Sequence, residues 1–376
     1  MKKALIVTAL AGFVRSFLTS DIELLQKMGY EVYCAANKYH PGAENIDEYF
    51  TNNNVNFFQV DFSSNKPISL DTLKSYIQLK KIVKENKFDF VHCHTPIAGA
   101  IARWSCKKYR KIGMKVAYTT HGFYFHKKSS KKSWLIFNTI ESIMSRYSDA
   151  IITINKEDFE NARDMHCKNV YQINGVGVDL GKFKNVTIDR EQYREEIGIS
   201  KDEIMILSVG ELSKRKNQKV ILQALGILKN PQIVFVHCGN AMNKDATTEE
   251  VKSIAKENNI KTIFLGLRKD IPQICHCADI GTLSSTREGL GLAGIEMLAS
   301  GLPVVASNVH GILDYMQDGI NGYLADPYKP EEFAEGIRKL VDSNTMRKNE
   351  IMNSVEKFDK KNSIKQMGKI YKEILN

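Results

Sequence analysis

Two glutamates carry the first chemical signal in this chain. In Arg287-Glu288-Gly289-Leu290-Gly291-Leu292-Ala293-Gly294-Ile295-Glu296 the carboxylates stand eight residues apart, with three glycines and no charge between them. The segment follows an apolar run ending at Leu283 and leads into Met297-Leu298-Ala299-Ser300-Gly301. This pattern predicts a strand, a glycine turn and a short helix that Gly301 stops. A helix that opens in a glycine loop offers free backbone N–H groups and the positive end of a dipole, which suits phosphate. Glu288 falls in the loop and Glu296 inside the helix. An acid beside a phosphate is costly unless it serves a neutral group, and sugar hydroxyls answer that description. The competing reading is a loop and helix carrying two solvated glutamates.

A histidine offers a second handle. His121 follows the apolar run Val116–Thr119 and precedes Gly122, so it is expected at the carboxyl end of a strand; His94, before Thr95-Pro96, ends another. Cys275-His276-Cys277 lacks a second ligand pair at a usual spacing and lies on a predicted helix, so no metal site is read there. No Asp-x-Asp stands near a strand end. Fixed cations and helix N–H groups are then expected to do what a divalent ion does elsewhere, and no cofactor is implied.

The elements that must position these residues alternate regularly. Strand-like runs are Ala4–Ala9, Glu31–Ala36, Asn56–Val60, Phe90–His94, Val116–Thr119 and Ala150–Ile154, then Met205–Val209, Ile233–Cys238, Thr262–Leu265, Ile280–Leu283 and Val304–Ala306. Helical stripes separate them, which predicts two parallel sheets covered by helices. The first such stripe, from Phe17 to Met28 before Gly29, completes a strand–helix–strand unit and argues against a signal peptide at Met1-Lys2-Lys3. A chain of 376 residues fits two domains. The glycine-bearing segment 173–183 reads as the hinge. We therefore expect one domain over 1–174 and a second over 175–354. Seven cysteines scattered through the chain suit reduced thiols in the cytosol, and no apolar run reaches membrane-spanning length.

Charge is concentrated. Between Arg103 and Arg146 there are eleven basic residues and one acid, Glu141, so this one stretch accounts for the whole formal net charge of +10. Within it Lys127, Lys128, Lys131 and Lys132 flank Phe123, Tyr124, Phe125, Trp134, Leu135, Ile136 and Phe137. Basic and aromatic residues together are what an interfacial segment needs, so the stretch is expected on an anionic membrane. A solvated lysine surface is the bland alternative. Nucleic-acid binding has no accompanying motif.

The acid pair resembles the Glu-x7-Glu signature of the retaining nucleotide-sugar glycosyltransferases of family 4. Further likenesses run in the same order: Val91-His92-Cys93-His94-Thr95, Thr119-Thr120-His121-Gly122, Asn174-Gly175-Val176-Gly177-Val178-Asp179, Val209-Gly210-Glu211-Leu212-Ser213-Lys214-Arg215-Lys216-Asn217, Pro303-Val304-Val305-Ala306-Ser307 and Asp318-Gly319-Ile320-Asn321-Gly322. The resemblance implies an α/β protein of GT-B architecture, two Rossmann-like doubly wound domains facing a central cleft. A terminal helix, within 355–376, would cross back to the first domain.

The resemblance also implies roles. Glu296 grips the ribose, and Glu288 faces the transferred sugar. The backbone of Gly289, Leu290, Gly291 and Leu292 holds the diphosphate, with Lys216 as its point charge. His121 lies near the sugar, Gly12 lets the backbone approach the donor, and the backbone at Leu267 and Arg268 meets the base. Uracil is the default base, with guanine as the alternative. The family usually carries arginine directly after the glycine of the Lys216 segment. Here that residue is Glu211, so either Arg215 supplies the missing charge or Lys216 and the backbone act alone.

The closest family likeness is to bacterial capsular and exopolysaccharide glycosyltransferases. It implies a hexosyltransferase that moves sugar from a UDP-sugar to a polyprenyl-diphosphate-linked saccharide, cytoplasmic and peripheral at the inner face of the membrane. The basic–aromatic segment with Trp134 would bring the acceptor. Two other classes remain open. One is a nucleotide-sugar epimerase on the same architecture; the other is a catalytically silent sugar-nucleotide-binding subunit.

Overall fold

The structure is a computed structural model that describes residues 1–376 apart from 41, 64–68, 241–245 and 343–345. The chain forms two compact units. The first comprises Met1–Gly177 with Lys361–Asn376, the second Val178–Lys360.

The first unit is built on β1 (Lys2–Leu10), β2 (Tyr30–Asn37), β3 (Asn56–Gln59), β4 (Phe90–His94), β5 (Lys115–Thr120), β6 (Ala150–Thr153) and β7 (Val170–Gln172). All pair in parallel, in the order β3-β2-β1-β4-β5-β6-β7. The central strands read as continuous apolar runs because helices cover both faces. From Ala4 to Ala9 no residue of β1 is exposed, and all of β4 is buried. The core gathers Leu5, Val7, Val91, Val116, Tyr118 and Ile151 from the sheet with Leu79, Ala102 and Cys106 from helices Leu70–Asn86 and Pro96–Arg110.

The second unit repeats the plan with β8 (Ile204–Val209), β9 (Ile233–Cys238), β10 (Lys261–Gly266), β11 (Ile280–Leu283), β12 (Val304–Ser307) and β13 (Gly322–Ala325), ordered β10-β9-β8-β11-β12-β13 and again all parallel. Helices Gln218–Leu228 and Pro330–Asp342 pack on one another and on this sheet. These are two doubly wound Rossmann-like domains. In each, the order reverses beside the first strand, between β1 and β4 and between β8 and β11. At such a switch point neighbouring loops diverge to opposite faces and leave a crevice at the strands' carboxyl ends.

The eleven strands expected from sequence are all present. Two more, β7 and β13, are short edge strands. β7 has no buried residue and β13 buries only Gly322 and Ala325 at its ends, so both lack the apolar run that marks the central strands. The N-terminal Ala4–Ala9 run is an interior strand of its sheet, between β2 and β4. The helix expected from Phe17 begins earlier, at Ala11, and contains a π-helical turn over Val14–Leu18 before continuing as Thr19–Lys27. Gly29, at φ +84°, ends it.

Candidate active site

In the second unit the loops after β8 and β11 meet at the switch point. The acid pair sits as its spacing suggested, with Glu288 in the loop after β11 and Glu296 one turn inside helix Leu292–Ala299. Gly291 caps that helix at φ +78°, a left-handed conformation that favours glycine. The Tyr315 hydroxyl donates to the Gly291 carbonyl at 3.1 Å and fixes the turn. Leu290 is buried. The loop after β8 is stapled alongside: Thr286 N–H donates to the Arg215 carbonyl at 2.8 Å, and the Ser284 hydroxyl to the Lys216 carbonyl at 2.9 Å.

This stapling brings charge to Glu288. Its Oε1 accepts from Lys216 Nζ at 2.5 Å, Ser285 Oγ at 2.8 Å and Arg215 Nη1 at 3.0 Å. Burial alone would raise the Glu288 pKa, but the two cations and the hydrogen bonds outweigh it, and the carboxyl is held below its ordinary range. Glu296 experiences the opposite balance. Burial raises its pKa, and Lys216 offsets this only in part. Arg215 also reaches Glu211 at 3.4 Å. The acid at the family's arginine position thus lies against Arg215, which stands with Lys216 beside Glu288. An ammonium has three donors. The one side-chain bond of Lys216 among the described residues goes to Glu288, which leaves donors for an incoming anion.

The two residues expected to meet the base through their backbone, Leu267 and Arg268, directly follow β10. Leu267 is 80% exposed. The Arg268 guanidinium is held by Asp270 at 2.5 and 2.8 Å and by the Tyr193 hydroxyl at 3.2 Å. Gly12 has a packing reason for being glycine, since a Cβ there would stand 2.4 Å from the Gly42 carbonyl oxygen.

The carboxyl ends of β4 and β5 in the first unit carry a different chemistry. His94 Nδ1 and His121 Nε2 are 3.2 Å apart, and Phe13 lies edge-on to His121 with ring centroids at 4.8 Å. Burial depresses the His121 pKa to about 4 and holds that of His94 well below the ordinary histidine value, so both rings are neutral at pH 7. His94 Nε2 is buried with no hydrogen-bond partner among the described residues. His92 joins a chain behind them. The Tyr371 hydroxyl donates to Asp21 Oδ1 at 2.5 Å, and His92 Nδ1 lies 2.8 Å from that hydroxyl while its Nε2 lies 2.8 Å from Thr119 Oγ1. Burial raises the Asp21 pKa to about 6. Asp21 and Tyr371 carry no motif that sequence could have flagged. Tyr371 reaches His92 across 279 residues of chain.

The basic stretch is not wholly a surface. Arg103 is fully buried, paired with Glu141 at 2.7 Å and laid over the Tyr118 ring at 3.9 Å. The first residue of the stretch therefore belongs to the core, whereas Arg146 at the other end is exposed. The lysines Lys127, Lys128, Lys131 and Lys132 are exposed. Trp134 packs edge-on to Phe125 at 5.9 Å and is 39% exposed. Helix Lys131–Ser145 continues from it with Leu135, Ile136, Ile140 and Ile143 exposed. Among the described residues no helix is long and apolar enough to cross a membrane. His276 Nε2 lies 2.6 Å from the Phe183 carbonyl oxygen.

Twin parallel domains with a glycine loop and an acid pair at a switch point have the architecture of the GT-B glycosyltransferases. The comparisons agree. A model described as glycosyl transferases group 1 matches residues 189–357, and one described as glycosyltransferase family 4 matches residues 22–180. EpsD of Bacillus subtilis strain 168, named as a glycosyltransferase, is 30% identical over 98% of this chain and 96% of its own. A UDP-Gal:α-D-GlcNAc-diphosphoundecaprenol α-1,3-galactosyltransferase of Escherichia coli is 27% identical over 96% of this chain and 92% of its own. The crystal structure of Anabaena HepE with UDP and glucose matches with a TM-score of 0.79 at 18% identity, over 99% of this chain and all of that one. The chain belongs to the family 4 glycosyltransferases.

Proposed function

We propose that this glycosyltransferase moves a hexosyl unit, with retention, from a UDP-sugar to a polyprenyl-diphosphate-linked saccharide during surface polysaccharide assembly. The observation that carries the reading is the cluster of Arg215 and Lys216 on Glu288, with Glu296 on the adjoining helix. It provides two fixed cations for a diphosphate and two carboxylates for neutral hydroxyls. In this reading a diphosphate takes the spare donors of Lys216 and the N–H groups of the Gly289–Leu292 turn. Positive charge held there stabilises the leaving group as the sugar–oxygen bond breaks. Glu296 accepts from the ribose hydroxyls. Glu288, kept ionised, faces the transferred sugar and its developing positive charge. The neutral His121 hydrogen-bonds a sugar hydroxyl. The acceptor oxygen attacks from the face the diphosphate leaves, and the departing phosphate oxygen takes its proton.

The E. coli relative, named for a UDP-sugar donor and a diphosphoundecaprenol acceptor, supports the substrate classes. The exposed lysines and the Trp134 helix are read as the docking segment on an anionic membrane. The test is an assay of purified protein with UDP-sugars, with and without a polyprenyl-diphosphate saccharide. Sugar-extended lipid with the donor's anomeric configuration is the expected product. An altered sugar nucleotide formed without acceptor would replace this reading by an epimerase.

A further inference from the structure

The first unit holds a second concavity that the transfer chemistry does not use. It is a cavity of about 130 Å³ between helices Leu70–Asn86, Pro96–Arg110 and Lys131–Ser145, walled by Ile97, Ala100, Ile101, Phe137 and Ile140. Its one carboxylate, Glu141, is neutralised by Arg103 at 2.7 Å and accepts from the Tyr118 hydroxyl at 3.3 Å. The cavity therefore offers almost no hydrogen-bonding demand. Apolar cavities of roughly 150 Å³ stay dry and take up a benzene-sized molecule. One isoprene unit, with five carbons, is of that size.

Three features select the occupant. First, Ile140 is both cavity wall and 37% exposed, and with Ile136 and Ile143 it makes an exposed apolar stripe at helical spacing. The cavity thus opens onto apolar surface, as a chain longer than the cavity requires. Secondly, Lys131 and Lys132 begin the same helix, are exposed, and form no ion pair among the described residues; its first turn has no acid. Two cations at the positive end of a helix dipole repel it, and an anionic group relieves them. Thirdly, two wall residues come from the strand ends that carry the histidines. Pro96 follows His94 by two residues and Tyr124 follows His121 by three, and the Tyr124 ring is held against Phe137 at 5.2 Å.

We infer that this cavity binds one isoprene unit of a polyprenyl diphosphate, with the diphosphate at Lys131 and Lys132 and the remaining chain along the Ile136–Ile140–Ile143 stripe. The assignment rests on the lipid-linked acceptor proposed above and adds the place where its hydrocarbon is recognised.

Titration of the full chain with dimethylallyl diphosphate, which carries a single isoprene unit, and with methyl diphosphate tests it without any sugar transfer. Wild type should bind the dimethylallyl compound at least about tenfold more tightly, as expected for burial of one small apolar group. Ala100→Phe, which fills the cavity, should abolish that preference and leave UDP affinity, a property of the second unit, unchanged. Should Ala100→Phe fail to fold, Ile140→Ser reads the same preference from a half-exposed position and should lower it several-fold. Equal affinity of wild type for the two diphosphates overturns the inference. So does a preference that survives in the variants, or a wild-type dimer that Ala100→Phe dissociates with no isoprenoid preference present. Transfer to a lipid acceptor with no isoprenoid preference would leave the proposed function standing and remove this site; the reverse result would do the opposite.

Discussion

The two units share a strand order but end their central strands in opposite chemistry. In the second, the loops after β8 and β11 concentrate ions: Glu288 is buried and stays charged because Lys216 and Arg215 are within 3.0 Å. In the first, the ends of β4 and β5 concentrate histidines that burial keeps neutral. A doubly wound sheet supplies a crevice in both cases. What fills the crevice decides whether it attracts an anion or presents neutral hydrogen-bonding groups. The charged half suits a nucleotide diphosphate, and the neutral half suits hydroxyl-bearing or lipid-linked partners.

The largest expected effect tests whether membrane attraction belongs to the first unit alone. Changing Lys127, Lys128, Lys131 and Lys132 together to glutamine should weaken adsorption to phosphatidylglycerol vesicles by up to about a thousandfold, since each lysine near such a surface contributes about 1 kcal/mol. Added salt should mimic the change, and UDP affinity should stay constant. Co-sedimentation with vesicles equal to wild type would return the segment to a solvated surface.

Next comes the ion cluster. Glu288→Gln should lower the transfer rate by about 10²–10³, the loss typical of removing a group that stabilises transition-state charge. UDP affinity should be unchanged or higher, because Lys216 and Arg215 are released. A drop in UDP affinity equal to the drop in rate would contradict that division. Glu296→Ala and Lys216→Ala should each weaken UDP binding about ten- to a hundredfold, the range for a charge-assisted hydrogen bond of about 1.5–3 kcal/mol. Calorimetry on both variants checks this.

Smaller effects separate the neutral half. His92, His94 and His121 have folded pKa values below the ordinary histidine value, with His92 near 3 and His121 near 4. Their stabilisation is fully present above about pH 6.5 and is lost as pH falls toward 4, because unfolding takes up protons in that window. Asp21, raised to about 6, has the opposite sign: its contribution is present below about pH 3.9 and fades as pH rises through 6. Melting temperatures recorded from pH 7 to 4 should therefore fall, and His121→Asn should flatten the curve. A profile identical in variant and wild type would show that His121 is not the titrating group. Least of all, Glu211→Gln should alter donor affinity by less than about fivefold, since its pair with Arg215 is partly solvated.

Local pattern told most about the architecture. The apolar runs Phe90–His94, Ile233–Cys238 and Ile280–Leu283 are strands with those same bounds. The glycine turn before Leu292 could be read because a left-handed cap, a helix start and a helix stop are short-range constraints. The edge strands β7 and β13 were not legible. A strand of three or four residues is too short to show an apolar period, and only its neighbour in the sheet makes it a strand.

Side-chain partnerships belonged to the tertiary structure. Sequence marked Lys216 and Glu288 as candidates but could not say that they touch across 72 residues. It could not say that Arg103, counted with a basic surface, lies in the core on Glu141, or that a tyrosine near the carboxyl end binds Asp21 and His92. The physical reason is range. Helix and strand periods are fixed by neighbours a few residues away, so the chain determines its elements, and hence its fold class, almost locally. Which charge is paired, which histidine is neutral and which gap between helices stays empty depend on groups that meet only when the sheets are assembled and water has been excluded.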